Sequence, residues 1–177
     1  MNSSRKLRLI ILLLVLVCTA GCDQMSKHLA RSKLGGGRFV SLPGGYGELR
    51  LSENPGSFLS LGASLPGSWR RFIFTFGVGT GLFGLLAYLV FGARFSGRSF
   101  TGWGMVWAGG MTNLIDRIGR EGLVTDFIYI RVGPFHTGIF NPADLLITVG
   151  AAVVAYDLWL RRIRRPAKAK SQTTPDA

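Results

Sequence analysis

The chain has 177 residues, 47% of them hydrophobic, with 25 glycines and a mean hydropathy of +0.31. That is the length of one domain and a composition too apolar for an ordinary soluble one. The formal net charge of +12 does not mark a nucleic-acid binder, because the basic residues flank apolar runs instead of forming one patch.

Arg5, Lys6 and Arg8 precede an apolar run that predicts a first span over about residues 7–22, readable as a signal peptide or as a retained helix. Thr19-Ala20-Gly21-Cys22 resembles a lipobox, the processing site of a bacterial lipoprotein. Against that reading, Thr19 stands where Leu is preferred and three more apolar spans follow, which favours the retained helix. Cys18 and Cys22, at i,i+4, are poorly spaced for a disulfide and give no metal site. Asp23 and Lys27 share one helix face and read locally as an exposed ion pair where the helix leaves the bilayer.

Gly35 to Gly37 and Pro43-Gly44-Gly45 are turn signals, and residues 38–42 and 48–52 alternate with period two, predicting short half-buried strands. Glu53 to Phe58 reads as a loop turned by Pro55 and Gly56. A sheet built from segments of about 38–60 and 123–139 belongs at the membrane surface, since strands in lipid need every backbone group paired. Arg70 and Arg71 open a second span, 72–91, whose Gly77, Gly79, Gly81 and Gly84 offer a small-residue face to another helix. A basic turn, 92–98, leads to a third span, 100–115, carrying Gly104, Ala108, Gly109 and Gly110. The fourth span covers 141–160, and residues 161–177 form a basic tail with a disordered composition. The expected fold is therefore a membrane α-helical domain over residues 1–160, with four transmembrane helices and a small surface sheet. Four spans place both termini on one side, and the dense block Arg161, Arg162, Arg164, Arg165, Lys168 and Lys170 makes that side cytoplasmic.

Two acids stand out between Leu123 and Thr148. Asp126 lies in the extended, β-branched and aromatic segment Val124 to Ile128; Asp144 follows Asn141-Pro142-Ala143 at the mouth of the fourth span. Asp126 alone weighs equally as a surface acid, and Asp144 alone reads as a capping acid favoured by the helix dipole, with Asn141 as N-cap and Pro142 at the first helical position. Together they outline a carboxylate pair that shares a proton and activates water. Asn113, Asp116 and Arg117, at i, i+3 and i+4, read either as an interfacial anchor or, through Asn113 and Arg117, as hydrogen-bonding groups that hold substrate or the acids. His28 and His136 have no partners at metal spacing, and Trp103, Trp107 and Trp159 suit packing and the membrane interface.

Five segments occur in the order found in bacterial lipoprotein signal peptidase, signal peptidase II: Asp23-Gln24-Met25-Ser26-Lys27, Asn54 to Phe58, Asn113 to Arg117, Val124-Thr125-Asp126-Phe127 and Phe140 to Asp144. The resemblance covers residues 7–160. It implies four membrane helices with a periplasmic β-cradle in the bacterial inner membrane, and cleavage of diacylglyceryl-modified prolipoproteins just before the lipidated cysteine. By motif position it makes Asp126 and Asp144 the catalytic dyad, with Asp23, Lys27, Asn54, Gly56, Asn113, Asp116, Arg117, Asn141 and Ala143 lining or supporting the site. It implies no metal or cofactor, contact with membrane phospholipid, and a monomer. Two features depart from the family pattern: the Asn54–Phe58 loop is one residue short, and Thr112 stands where a small residue, usually Gly, precedes the motif asparagine. The alternative from another class is a non-catalytic membrane lipoprotein, or an assembly or resistance protein, processed at Cys22.

Overall fold

The computed structural model describes residues 3–56, 65–92 and 95–164. Helix α1 runs unbroken over Ser3–Leu34, followed by strands β1 (Phe39–Ser41) and β2 (Gly47–Asn54). Helix α2 spans Gly67–Phe91 and contains a π-helical segment at Phe72–Gly77. Helix α3 (Gly97–Gly119), strands β3 (Val124–Val132) and β4 (Phe135–His136), and helix α4 (Pro142–Arg164) complete the order. The tail beyond residue 164, Arg94, and Ser57 and Phe58 of the short loop lie outside the described residues.

Helix α1 overruns its predicted span by three turns because its far end has a second task. Ala30 and Leu34 are buried against Phe127, with Leu49, Leu51 and Ile128 packed around them, so the emerging end of α1 is the floor of the sheet. Thr19 to Cys22 therefore lie mid-helix, with both cysteines free and exposed. The sheet is antiparallel in the order β1-β2-β3-β4. Strand β2 pairs Ser52 with Asp126 and Asn54 with Val124, so Asn54 ends a strand instead of lying in the predicted loop. The turn between β1 and β2 depends on glycine: Gly47 has φ 152°, and a Cβ there would collide with the Tyr129 carbonyl.

Three helices, α1, α2 and α4, are long and apolar enough to cross a bilayer, and their outward faces carry exposed Leu, Ile, Val and Phe. The predicted third span corresponds to α3, which starts at Gly97 under a Ser96 cap (Ser99 N–H to Ser96 Oγ, 3.0 Å) and runs to Gly119. It is long enough but less apolar, and the packing explains why. Helix α3 is central, touching α1, α2 and α4, and Gly102, Trp107, Ala108, Thr112 and Asn113 are buried against neighbours instead of facing lipid.

The close helix contact is not on the glycine face predicted for α2. There Gly77, Gly81 and Gly84 have open space at the Cβ position, and Gly79 makes only ordinary contact with Leu114. Tight approach occurs between α3 and α4. A Cβ at Gly102 would lie 2.8 Å from the Gly150 carbonyl oxygen, one at Gly109 2.6 Å from that of Ala143, and one at Gly150 2.6 Å from that of Gly102. A backbone carbonyl cannot swing aside as a side chain can, so even alanine must separate the helices. Gly102→Ala or Gly150→Ala is expected to lower stability by about 1–3 kcal/mol. Gly81→Ala should be neutral or gain roughly 0.5–1 kcal/mol from helix propensity. Thermal unfolding in detergent decides it, and equal effects at Gly81 and Gly102 would sink the close-packing account.

Candidate active site

The predicted site residues converge where α1 leaves the bundle, α3 ends, α4 begins and β3 crosses above them. The organising group is the Lys27 ammonium, which is fully buried. It pairs with Asp23 Oδ2 at 2.7 Å and Asp116 Oδ2 at 2.8 Å, and donates to Asn113 Oδ1 at 3.0 Å. Asp23 and Asp116 are buried as well, which overturns the exposed-pair reading of Asp23 and Lys27. A lysine one helical turn past an acid looks amphipathic in sequence; here α3 and α4 cover that turn. Asp23 Oδ1 also accepts the Ala143 N–H at 3.1 Å, and Gln24 Nε2 donates to Asp116 Oδ1 at 2.7 Å, so α1 is tied to the start of α4 and the end of α3.

Asn141 and Asp144 form a reciprocal cap at the start of α4. The Asp144 N–H donates to Asn141 Oδ1 (2.9 Å), and the Asn141 N–H donates to Asp144 Oδ2 (3.2 Å). Asp144 is thus the capping acid, and its other oxygen remains for Asn113 Nδ2 at 2.8 Å. Asn141 Nδ2 reaches Asp126 Oδ1 at 2.6 Å and Asn113 Oδ1 at 3.2 Å. Asn54 Nδ2 donates to Asp126 Oδ2 at 2.9 Å, while Asn54 Oδ1 takes the Gly56 N–H at 3.0 Å. Arg117 closes the ring by donating through Nη2 to the Gly56 carbonyl at 2.7 Å. Asp126 and Asp144 face one pocket of about 180 Å³, lined also by Asn54, Asn113, Arg117 and Ile147. Asp126 is buried and Asp144 half-buried beside the opening.

All eleven predicted residues fall in or directly around this assembly. The two departures from the family pattern are both accommodated. Thr112 is buried with its hydroxyl donating to the Ala108 carbonyl at 2.9 Å, so it adds no unpaired polar atom. Asn54 and Gly56 hold their contacts despite the short loop. Reasoning from sequence missed a second ring. Arg31 Nη1 and Arg120 Nη1 donate to Thr125 Oγ1 at 2.9 and 2.7 Å, and Arg120 Nη2 pairs with Glu53 Oε1 at 2.8 Å. Thr125 and Glu53 immediately precede Asp126 and Asn54, so this ring fixes both strands at the pocket. The available signal was Thr125 within its motif; Glu53 and Arg120 look like surface charges.

Burial pushes the Asp126 carboxyl up to about 6, and the neighbouring Asp144 charge adds to the rise. Donors from Asn54 and Asn141 and the charge of Lys27 act in the opposite direction. A carboxyl titrating near neutrality beside a second carboxyl can exchange a proton with water or a bound amide at physiological pH.

A family model, signal peptidase (SPase) II, matches residues 13–160. The chain is 36% identical over 116 residues to a lipoprotein signal peptidase of Paraburkholderia phymatum, covering 66% of this chain and 68% of that protein. It is 33% identical over 125 residues to a lipoprotein signal peptidase of Shigella flexneri, covering 70% and 71%. A solved bacterial membrane enzyme superposes with a TM-score of 0.75 at 21% identity, over 90% of this chain and 93% of that one, which shows a shared fold. The chain belongs to the signal peptidase II family.

Two outcomes follow from the geometry. Lys27→Met leaves Asp23 and Asp116 buried without their cation, so stability should fall by about 3–5 kcal/mol; chemical denaturation in detergent micelles measures it, and a loss under about 1 kcal/mol contradicts a paired buried charge. Asp126 binds its proton more tightly when folded (about 6) than unfolded (3.8), so its contribution is complete below about 4 and is lost as pH rises through about 6. Wild-type stability should therefore decline from pH 5 to pH 8 more steeply than that of Asp126→Asn, by about 1–1.5 kcal/mol. Parallel melting-temperature profiles in the two proteins would refute the assignment.

Proposed function

We propose that the chain is an intramembrane aspartyl endopeptidase that removes the signal peptide of diacylglyceryl-modified prolipoproteins just before the lipidated cysteine, with Asp126 and Asp144 as its catalytic pair. The carrying observation is their convergence on one pocket from separate elements, each oriented by an asparagine that also touches the other asparagine's network. Family membership supports the substrate class.

One carboxyl holds a proton while the other is ionised. The ionised member takes a proton from water as its oxygen attacks the scissile carbonyl; the protonated member donates to that carbonyl and stabilises the tetrahedral intermediate. On collapse, a proton passes to the leaving nitrogen and the pair returns to its starting charge. Asn54, Asn113 and Asn141 keep both carboxyls facing the pocket, and Arg117 secures the Gly56 segment at its rim.

Our reading of the topology is four spans in the bacterial inner membrane, cytoplasmic termini and a periplasmic site. Helix α3, at 23 residues, is about 35 Å long at 1.5 Å per residue, enough for a hydrocarbon core of about 30 Å. Its first turn meets Asp157 of α4 through Ser99 (2.6 Å), close to the basic end of that helix, and its last turn carries Asp116 and Arg117. A substrate anchored in the bilayer then presents its scissile bond at the interface, where the pocket lies.

Cleavage of a diacylglyceryl-modified prolipoprotein by the purified protein tests the proposal. Asp126→Asn and Asp144→Asn should each lower kcat by about 10³-fold or more while the fold is retained. A variant that keeps its rate removes that acid from the dyad, and a wild type that binds without cutting removes the peptidase reading.

A further inference from the structure

The pairing of β2 with β3 changes register beside the carboxylate pocket. Leu49 lies opposite Ile128 and Ser52 opposite Asp126, so β2 uses three residues where β3 uses two. Arg50 and Leu51 together face the single Phe127, which makes a β-bulge. Successive side chains of a strand point to opposite faces, so one extra residue exchanges the two faces of everything beyond it. Beyond the bulge, Ser52 and Asn54 share the face of Asp126 and Val124, while Glu53 shares that of Thr125. Paired straight through, Glu53 would stand opposite Val124 on the pocket face and Asn54 would turn away.

A closed set of partners holds the shifted register from the face away from the pocket. Thr125 is fully buried, and its Oγ1 accepts from Arg31 Nη1 at 2.9 Å and from Arg120 Nη1 at 2.7 Å. Arg120 Nη2 pairs with Glu53 Oε1 at 2.8 Å, and the Thr125 hydroxyl donates toward Glu53 Oε2 at 3.4 Å. The Thr125 N–H donates to Asp116 Oδ2 at 3.3 Å, the same oxygen that pairs with Lys27, so this residue is pinned through its backbone as well. On the pocket face, Asn54 Nδ2 donates to Asp126 Oδ2 at 2.9 Å. Glu53 in that place would be a third carboxylate beside Asp126 and Asp144, an acceptor where a donor is needed.

We propose that Thr125, Glu53 and Arg120 are positioning residues that hold the bulged register, so that Asn54 and not Glu53 faces the carboxylate pair. None of the three lines the pocket; they act through Asn54 and through the strand that carries Asp126. Thr125 is the joint of the set. Without its hydroxyl, two guanidinium groups lose a buried acceptor and Glu53 loses its link to β3. Rate effects of these residues rest on the peptidase reading, whereas the register stands on the pairing itself.

The test uses the full-length protein in nanodiscs, carrying Cys18→Ser and Cys22→Ser for the cross-linking arm. Oxidation of an Asn54→Cys, Val124→Cys pair reads the register beyond the bulge, and a Leu49→Cys, Ile128→Cys pair reads it before the bulge. Thr125→Val keeps the shape and removes the hydroxyl. It should lower the yield of the first disulfide about threefold or more, since cysteines on opposite faces cannot meet disulfide geometry, and leave the second unchanged. In prolipoprotein cleavage, Thr125→Val should lower kcat about tenfold with KM within about twofold, and Thr125→Ser should restore the rate. On an Asn54→Ala background, Thr125→Val should lower kcat by less than about twofold, because both changes act through one contact. An unchanged first disulfide, equal loss of both disulfides, independent rate losses at the two positions, or a Thr125→Ser as slow as Thr125→Val overturns the proposal. A wild type that does not cleave removes the peptidase reading and leaves the two disulfides to judge the register.

Discussion

The site depends on one buried ammonium. Asp23, Asp116 and Asp126 are buried and Asp144 half-buried at the top of a helix bundle, and Lys27 and Arg117 are the cations set among them. Removing charges from water is expensive, and the expense is recovered only when partners and hydrogen bonds are complete. Lys27 meets that condition with three oxygen partners within 3.0 Å, one of them the oxygen of Asn113, whose amide in turn holds Asp144. The lysine thereby fixes which way the Asn113 amide points: oxygen toward Lys27, nitrogen toward Asp144. A neutral residue at position 27 would remove the charged donor to that oxygen and leave Asn141 Nδ2 to hold it.

This polarity propagates. With the Asn113 oxygen taken by Lys27 and Asn141 Nδ2, the Asn141 amide must also point its nitrogen outward, toward Asp126, and its oxygen back to its own helix at Asp144 N–H. Each carboxyl consequently receives an amide donor, and each asparagine is committed on both faces. The acids are held facing one pocket by directional hydrogen bonds, and the raised Asp126 value comes first from its burial and then from the neighbouring Asp144 charge. A carboxylate pair relaxed into full solvation would lose both the proximity and the titration near neutrality.

Much of this was legible in the chain. The motifs carrying Asp126, Asp144, Asn113, Asn141 and Asn54 stand in an order that leaves little freedom, and Asn-Pro-Ala-Asp announces a helix start in purely local terms. What sequence could not give is what depends on neighbours. Asp23 and Lys27 look like a solvated i,i+4 pair because burial comes from α3 and α4, which have no trace in that heptad. Glu53 and Arg120 are 67 residues apart and each resembles a surface charge. Glycine spacing on α2 and α3 is similar, yet only α3 meets a partner closely enough to forbid a Cβ. The overrun of α1 was hidden because the apolar run ends near Cys22, while the helix is continued by residues serving the sheet.

Rigidity on one side and openness on the other follow from the same glycines. Gly102, Gly109 and Gly150 bring α3 and α4 to backbone contact, so the helices carrying Asn113 and Asp144 cannot shift without breaking a carbonyl-lined interface. Helix α2 meets α3 through side chains instead: Leu82 packs against Gly110, Gly79 makes ordinary contact with Leu114, and a cavity remains. A membrane peptidase needs this asymmetry. If the two acids are the catalytic pair proposed above, they must hold position to within a fraction of an ångström while an apolar substrate reaches them. The seam between α3 and α4 is the close-packed one; a cavity lies at the seam between α2 and α3, and Arg117, on the shared helix, lines both that cavity and the carboxylate pocket.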